Sequence, residues 1–267
     1  MSVLWTVIIL AMFAGGLLHL RSVTSRVERA ARDQARMENI LDAAINRAIL
    51  ALADTRIDKR WRVDGVPVDF AYDGMPVSVT VQDENGKIDI NTADADVLKD
   101  LLQTVGIAPG QAADIADCVL DWRDATGLHR KTDYRAAQLA YVPRHGYFQS
   151  ADELKLVPGI TPDVFQRIEP AITVYSQRAT ADAAVAPLEV LLTFPGMNEA
   201  AATKVLKDRA GREAPDRAGM LDLLQSLEGR AFTIRAAAQL GQKQFVRERT
   251  IRITDAAGRS FLTLNWK

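Results

Sequence analysis

Residues 3–18 carry no charge and one polar side chain, Thr6, and no glycine or proline occurs between Leu17 and Gly65. From residue 21 to residue 52 the apolar side chains recur at helical spacing: Val23, Val27, Ala30, Ala31, Met37, Ile40, Leu41, Ala44, Ile45, Ala48, Ile49 and Leu52. The pattern predicts one continuous helix of roughly 50 residues, apolar at its start and amphipathic afterwards. With Ser2, His19 and Leu20 at its edges the apolar run reaches the length of about 17–25 residues that a membrane crossing needs. A secretory signal peptide would want basic residues before the run and a small-x-small cleavage site after it. Only Met-Ser precedes Val3, and His19-Leu20-Arg21 is a poor cleavage site. A buried soluble helix would carry a polar stripe. The expectation is a retained membrane anchor at residues 3–18.

Arg21, Arg26 and Arg29 follow that run, and nothing basic precedes it. The positive-inside tendency would put the body of the protein in the cytoplasm. Over all 267 residues the charges nearly cancel, 33 Lys and Arg against 34 Asp and Glu. By region they do not. Residues 82–170 hold 9 basic and 15 acidic side chains, residues 204–267 hold 13 and 7. The one cysteine, Cys118, excludes an internal disulfide and a cysteine-based zinc cage.

Two alternating stretches, residues 66–72 and 77–81, flank Asp73-Gly74 and read as a hairpin. Residues 231–240, 245–254 and 260–266 are strand-like again, with turns at Gln242-Lys243 and residues 255–258. Strands at both ends and helices between them predict an α+β fold. In it a long N-terminal helix packs on one antiparallel sheet interrupted by a large all-α insertion. The expected divisions are 1–20 for the transmembrane part, 21–60 for the amphipathic continuation, 61–85 for the first strands, 86–228 for the insertion and 229–267 for the last strands.

The insertion repeats a pattern of helix, Gly-hydrophobic turn and helix. It occurs at residues 101–107, 154–160 and 191–197, with Gly106, Gly159 and Gly196 at the left-handed cap position. These are helix-hairpin-helix-like units, a motif that in other settings binds the DNA backbone. The DNA-binding form wants a second glycine two residues on, where this chain has Ala108, Thr161 and Asn198. Pro109 and Pro162 remove further N–H donors, and the acidic balance repels phosphate. No nucleic-acid partner is expected.

Asp121-Trp122-Arg123-Asp124 leads into Ala125-Thr126-Gly127. Two carboxylates three residues apart before a turn suit a hard cation such as Ca²⁺, helped by carbonyls and by Asp133 or Asp117. The other reading makes Asp124 a turn cap, Asp121 the partner of an arginine, and Trp122 core. Catalytic signatures are missing: there is no G-x-S-x-G, P-loop, H-E-x-x-H or dinucleotide glycine fingerprint. His129 and His145 stand in loop-like sequence without a supporting pattern, and Cys118 sits in an apolar stretch that reads as core. No enzyme is expected.

Several motifs occur in order: Gly86-Lys-Ile-Asp-Ile-Asn-Thr-Ala93, Asp121-Trp-Arg-Asp124, Gly146-Tyr-Phe-Gln-Ser150, Asp152-Glu-Leu154, Val157-Pro-Gly-Ile-Thr161 and the terminal Leu264-Asn-Trp266. Together they resemble the GspK family of minor pseudopilins of type II secretion systems, over nearly the whole chain. The resemblance implies a pseudopilin fold and a non-enzymatic protein at the tip of a periplasmic pseudopilus, supporting export of folded proteins across the outer membrane. Implied partners are the other minor pseudopilins, the inner-membrane secretion platform and, where a leader lies upstream, a prepilin peptidase. The implied location is the inner membrane of a Gram-negative bacterium, single-pass, with the head in the periplasm. Relatives begin with a short basic leader ending in glycine. This sequence starts without one, so either the chain is a processed form or its start lies further upstream, and loss of a basic leader would resolve the topology conflict. Pilins commonly carry Glu at the fifth mature position, which this family typically lacks; no Glu precedes Glu28 here. The family's helical domain binds Ca²⁺, which implies Asp121, Asp124 and Asp133 as candidate ligands. The further acid usual after the D-W-x-D segment is replaced by Thr126. The alternative is a membrane-anchored helix-hairpin-helix DNA receptor of a competence-type uptake system.

Overall fold

The computed structural model describes residues 2–54, 56, 60–126, 141–211, 227–254 and 260–267, without the side chains of 2, 9 and 13–25. In chain order the elements are α1 (Ser2–Leu52), β1 (Val68–Tyr72), β2 (Met75–Asp83), β3 (Ile88–Asp89), α2 (Ala95–Thr104), α3 (Pro109–Arg123), α4 (Pro162–Ile168), β4 (Ile172–Thr173), α5 (Leu188–Leu191), α6 (Glu199–Ala210), β5 (Ala231–Leu240), β6 (Lys243–Ile253) and β7 (Phe261–Trp266).

The predicted long helix forms as one unbroken α1 of 51 residues. At about 1.5 Å per residue it is about 77 Å long, far longer than the sheet it touches. Met37, Ile40, Leu41, Ala44, Ile45, Ala48, Ile49 and Leu52, spaced by threes and fours, are buried in one cluster. Val77, Val79 and Val81 of β2, Phe232, Ile234 and Ala236 of β5, and Ile251 of β6 complete that cluster. Strand alternation sends Ser78, Thr80 and Gln82 to the other face of the sheet. Residues 26–36 of α1 are exposed, with Gln34 and Arg36 reaching Lys243 and Asp73 at the end of the sheet. No helix among the described residues is long and apolar enough to cross a membrane. The run expected to do so falls partly on residues 13–25, whose side chains lie outside the described residues.

The five-stranded sheet has the order β1-β2-β5-β6-β7 and every pairing is antiparallel. The expected hairpin closes at Tyr72↔Met75, and Asp73 and Gly74 both take positive φ (49° and 72°), as a type I′ turn requires. The β5–β6 turn falls at Gly241-Gln242, one residue earlier than expected, because Lys243 already pairs with Leu240. The turn expected at residues 255–258 lies outside the described residues.

Asp83 at the end of β2 pairs with Phe232 at the start of β5. The insertion therefore leaves and re-enters the sheet through neighbouring strands, as a hairpin loop enlarged into a domain with its own core around Ile90, Leu101, Trp122, Phe148 and Ile168. It is not all-α: β3 and β4 form a parallel pair, Ile88↔Ile172 and Asp89↔Thr173. Two residues per strand are too few for an alternating pattern to show in sequence. The glycine turns do form, with φ of 88°, 87° and 76° at Gly106, Gly159 and Gly196. Only the first unit is a full helical hairpin, α2–α3. In the second the leading element is a 3₁₀ turn at Ala151–Leu156, and in the third it is the four-residue α5.

Candidate functional site

The motif at residues 86–93 holds the insertion together. Gly86 lies so close to the backbone of residue 185 that a Cβ would stand 2.4 Å from the Val185 carbonyl oxygen. Lys87 pairs with Glu84 at 2.7 Å, and Ile88 and Ile90 enter the core. Asp89 is buried; Asn91 N–H donates to its Oδ1 (2.9 Å), and Gln177 N–H (2.7 Å) and the Ser176 hydroxyl (3.3 Å) stand at its Oδ2. Burial raises the Asp89 carboxyl above the ordinary carboxylate range, against those hydrogen bonds. The Asn91 amide meets Phe148 as a backbone would, accepting from its N–H (2.7 Å) and donating to its carbonyl (3.0 Å). Arg123 donates to the carbonyls of Ile90 (2.7 Å) and Ala93 (2.6 Å). The motif, α3 and the segment at Phe148 thus form one polar-stitched unit.

The neck between insertion and sheet is pinned by charge. Buried Asp83 pairs with Arg230, and Asn85 N–H donates to Asp83 Oδ1 at 2.8 Å. Desolvation raises the Asp83 carboxyl, while Arg230 pulls it the other way. Arg252 donates to the carbonyls of Gly229 (2.7 Å) and Tyr175 (2.8 Å). Lys267 reaches Glu169 at 3.3 Å and Asp152 at 3.6 Å.

The expected cation ligands do not assemble as a set among the described residues. Asp124 Oδ1 already accepts from the Thr126 N–H (2.9 Å) and hydroxyl (2.6 Å), the turn-cap arrangement. Asp121 is buried on α3, its carbonyl 3.3 Å from His145 Nδ1. Trp122 is core, stacked on Phe148 with ring centroids 5.7 Å apart. Asp133 and His129 lie outside the described residues. No group of three or more His, Cys, Asp or Glu that could hold a metal occurs among those described. Among the described residues Asp121 and Asp124 supply fewer oxygens than the six or more that Ca²⁺ takes, and the remaining expected ligand, Asp133, lies outside them.

Cys118 is core, as expected. The outer sheet face carries an open groove of about 550 Å³ lined by Ala71, Pro76, Ser78, Ala237 and neighbours. Asp69 is the one ionisable group in that lining, too little for acid–base chemistry.

The surface that stands out is α1 itself. Val3, Leu4, Trp5, Val7, Ile8, Leu10 and Met12 are exposed, and Val27 is 63% exposed. Where α1 meets the sheet, both of its flanks are matched. Arg36 pairs with Asp73 at 2.8 Å and Arg47 lies 4.3 Å from the Phe70 ring on the β1 side. On the β6 side Asp42 takes Arg247 (3.2 Å) and Asn46 takes Arg249 (3.1 Å), with Arg249 stacked 3.7 Å over Trp266. The sequence reading missed this seam. Its signal is two arginines, 247 and 249, on the face of β6 that also carries buried Ile251.

Residues 78–177 match the family described as type II secretion system (T2SS), protein K. Among solved structures, a chain of the GspK-GspI-GspJ complex from the enterotoxigenic Escherichia coli type 2 secretion system shares the fold. Its TM-score is 0.56 at 14% identity, over 89% of this chain and 98% of that one. No curated protein matches the sequence. The long helix seated on an antiparallel sheet, with a domain grown from one of its hairpins, is the fold shared with that chain. The two findings together support the GspK family, protein K of type II secretion, and they lend nothing to the DNA-receptor alternative.

Proposed function

We propose that the chain is the membrane-anchored tip subunit of a type II secretion pseudopilus, working by assembly rather than catalysis. The observation that carries this is the exposed apolar part of α1, continuous with the part seated on the sheet. Water does not tolerate such a surface at length, so lipid or neighbouring helices cover it. The likeness to a chain of a three-pseudopilin complex supports other minor pseudopilins as the neighbours. An insertion larger than the sheet supports a terminal position, since it enlarges the head from which the next subunit would have to continue. In this reading residues 3–18 lie in the inner membrane and the head in the periplasm. The secretion platform and a prepilin peptidase are its further partners.

The test is a secretion assay in a strain lacking this chain, read alongside co-purification of the full chain with the other minor pseudopilins of its system. Restored export and a stable complex are expected; a chain that restores neither is not this subunit. Calcium at Asp121, Asp124 and Asp133 is a separate proposal. Heat on calorimetric titration of the full chain with Ca²⁺, lost in Asp121→Asn, would support it, and no heat would end it.

A further inference from the structure

We propose that the end of β7 is a releasable latch: Lys267 holds the insertion against the sheet, and Trp266 ties that hold to the seam between α1 and β6. The chain passes between sheet and insertion through β2 and β5, neighbours in the order β1-β2-β5-β6-β7. β7 stands two strands from β5, roughly 10 Å at the usual strand spacing. A body joined through one strand pair can tilt about it, and contacts further along the sheet set that tilt. Arg252 of β6, on the Tyr175 carbonyl at 2.8 Å, lies between the hinge and the latch.

Lys267 extends the β6–β7 ladder beyond Trp266, with its N–H and carbonyl both paired to Glu248 at 2.9 Å. Successive side chains of a strand point to opposite faces. Trp266 faces α1, its ring 3.7 Å from the Arg249 guanidinium and 5.3 Å from that of Arg247. These are the two arginines that Asn46 and Asp42 of α1 hold. Lys267 faces the other way, to Glu169 at 3.3 Å and Asp152 at 3.6 Å. The two acids belong to the 3₁₀ turns Ala151–Leu156 and Glu169–Ala171, which bracket α4. One strand end thus carries the α1 seam on one face and the insertion on the other.

The two holds differ in strength. The side chains of Lys267, Asp152 and Glu169 are each 45% exposed, so their ion pairs are weak and screened by salt. Asp152 keeps Lys155 at 2.6 Å when Lys267 leaves, which lowers the cost of opening. Arg249 is buried, and its Nε finds no hydrogen-bond partner among the described residues, so the Trp266 face is a large part of what steadies it. β7 is an edge strand with one neighbour. Its end frays once Lys267 lets go, and fraying lifts Trp266 from Arg249. Every contact lies within one chain, so the inference stands or falls apart from the class reading.

The test is hydrogen exchange by mass spectrometry on the full chain at roughly 0.1 M salt. Lys267→Glu should speed exchange about threefold at residues 150–172 of the insertion and at residues 42–50 of α1. Lys267→Arg should match the unaltered chain, and adding Glu169→Lys to Lys267→Glu should restore most of the protection. Raising salt to about 1 M should move the unaltered chain towards the Lys267→Glu pattern. Trp266→Ala should loosen both regions as well, whereas Leu262→Ala, at an exposed position of the same strand, should loosen neither. Lys99→Glu reverses a charge in a surface ion pair on α2 and should change neither region. Unchanged exchange at 150–172 in Lys267→Glu would overturn the latch. A change there without one at 42–50 would overturn the tie to α1. Equal acceleration in β2 would mark general unfolding and overturn both.

Discussion

Asp89 is a carboxylate kept in the interior by the backbone it organises, and its pH behaviour follows from that. Its folded carboxyl is raised by burial, so ionising it costs the native state more than the unfolded chain. Its contribution is therefore least unfavourable below the unfolded pKa and declines as pH climbs through the raised folded value. Asp89→Asn keeps the shape but offers one oxygen where Asn91, Gln177 and Ser176 now donate to two. The variant should lose about 1–3 kcal/mol at acid pH. That deficit should narrow as pH rises above the ordinary carboxylate range, read by denaturant melts across pH. Gly159 is constrained twice, by φ of 87° and by an Ile115 Cγ1 that a Cβ would meet at 2.5 Å. Gly159→Ala should cost about 1–3 kcal/mol, visible as a lowered melting temperature. Its turn was legible in Val157-Pro-Gly-Ile160 because positive φ selects glycine locally. Asp89's role was not, since Gln177 and Ser176 lie far along the chain.

α1 behaves as two elements joined end to end. Ile45 is fully buried against the sheet, and Ile45→Ala should cost about 2–5 kcal/mol in the melting of the purified chain. Val27→Ala should leave that melt nearly unchanged, because Val27 packs on nothing in the chain's own core, and its effect should appear in assembly. Equal effects in one assay would contradict the division. The helix was readable from end to end because its signal is local: periodicity without a breaker. Which part would be covered was not, since Ala30 and Ala44 look alike in sequence and differ only in what stands opposite. The β3–β4 pair was missed for a related reason, as two-residue strands exist only by virtue of each other.

At the scale of the molecule, the insertion interrupts a hairpin rather than a sheet. Since Asp83 and Phe232 are cross-strand neighbours, residues 84–231 bridge a gap that a two-residue Asn-Gly turn spans. Replacing them by that turn, with Asp83→Asn to avoid a buried acid deprived of Arg230, should leave α1 and the sheet folded. Hydrogen exchange should still show protected amides in β2, β5 and β6. Loss of that protection would mean that the insertion's own core is needed to hold the sheet. The loss of Val185 and Leu227 from the sheet's core makes some destabilisation certain, and the coupling that Lys267 makes to Asp152 and Glu169 goes with it.

Local signals, read in the sequence alone, determined the long helix, the β1–β2 hairpin, the strand-rich ends and the three glycine turns. Each depends on residues close together in the chain: an apolar period, an Asp-Gly pair, a glycine at positive φ. The ordered motifs likewise carry the resemblance to the GspK family. What the tertiary structure alone decided is what those motifs do. It put Asn91 against Phe148, Arg123 on the carbonyls of Ile90 and Ala93, Thr126 on Asp124, and Arg249 over Trp266. All but the Thr126 contact join residues at least 17 positions apart, and a partner at that range is set by the path of the chain, which no local pattern encodes.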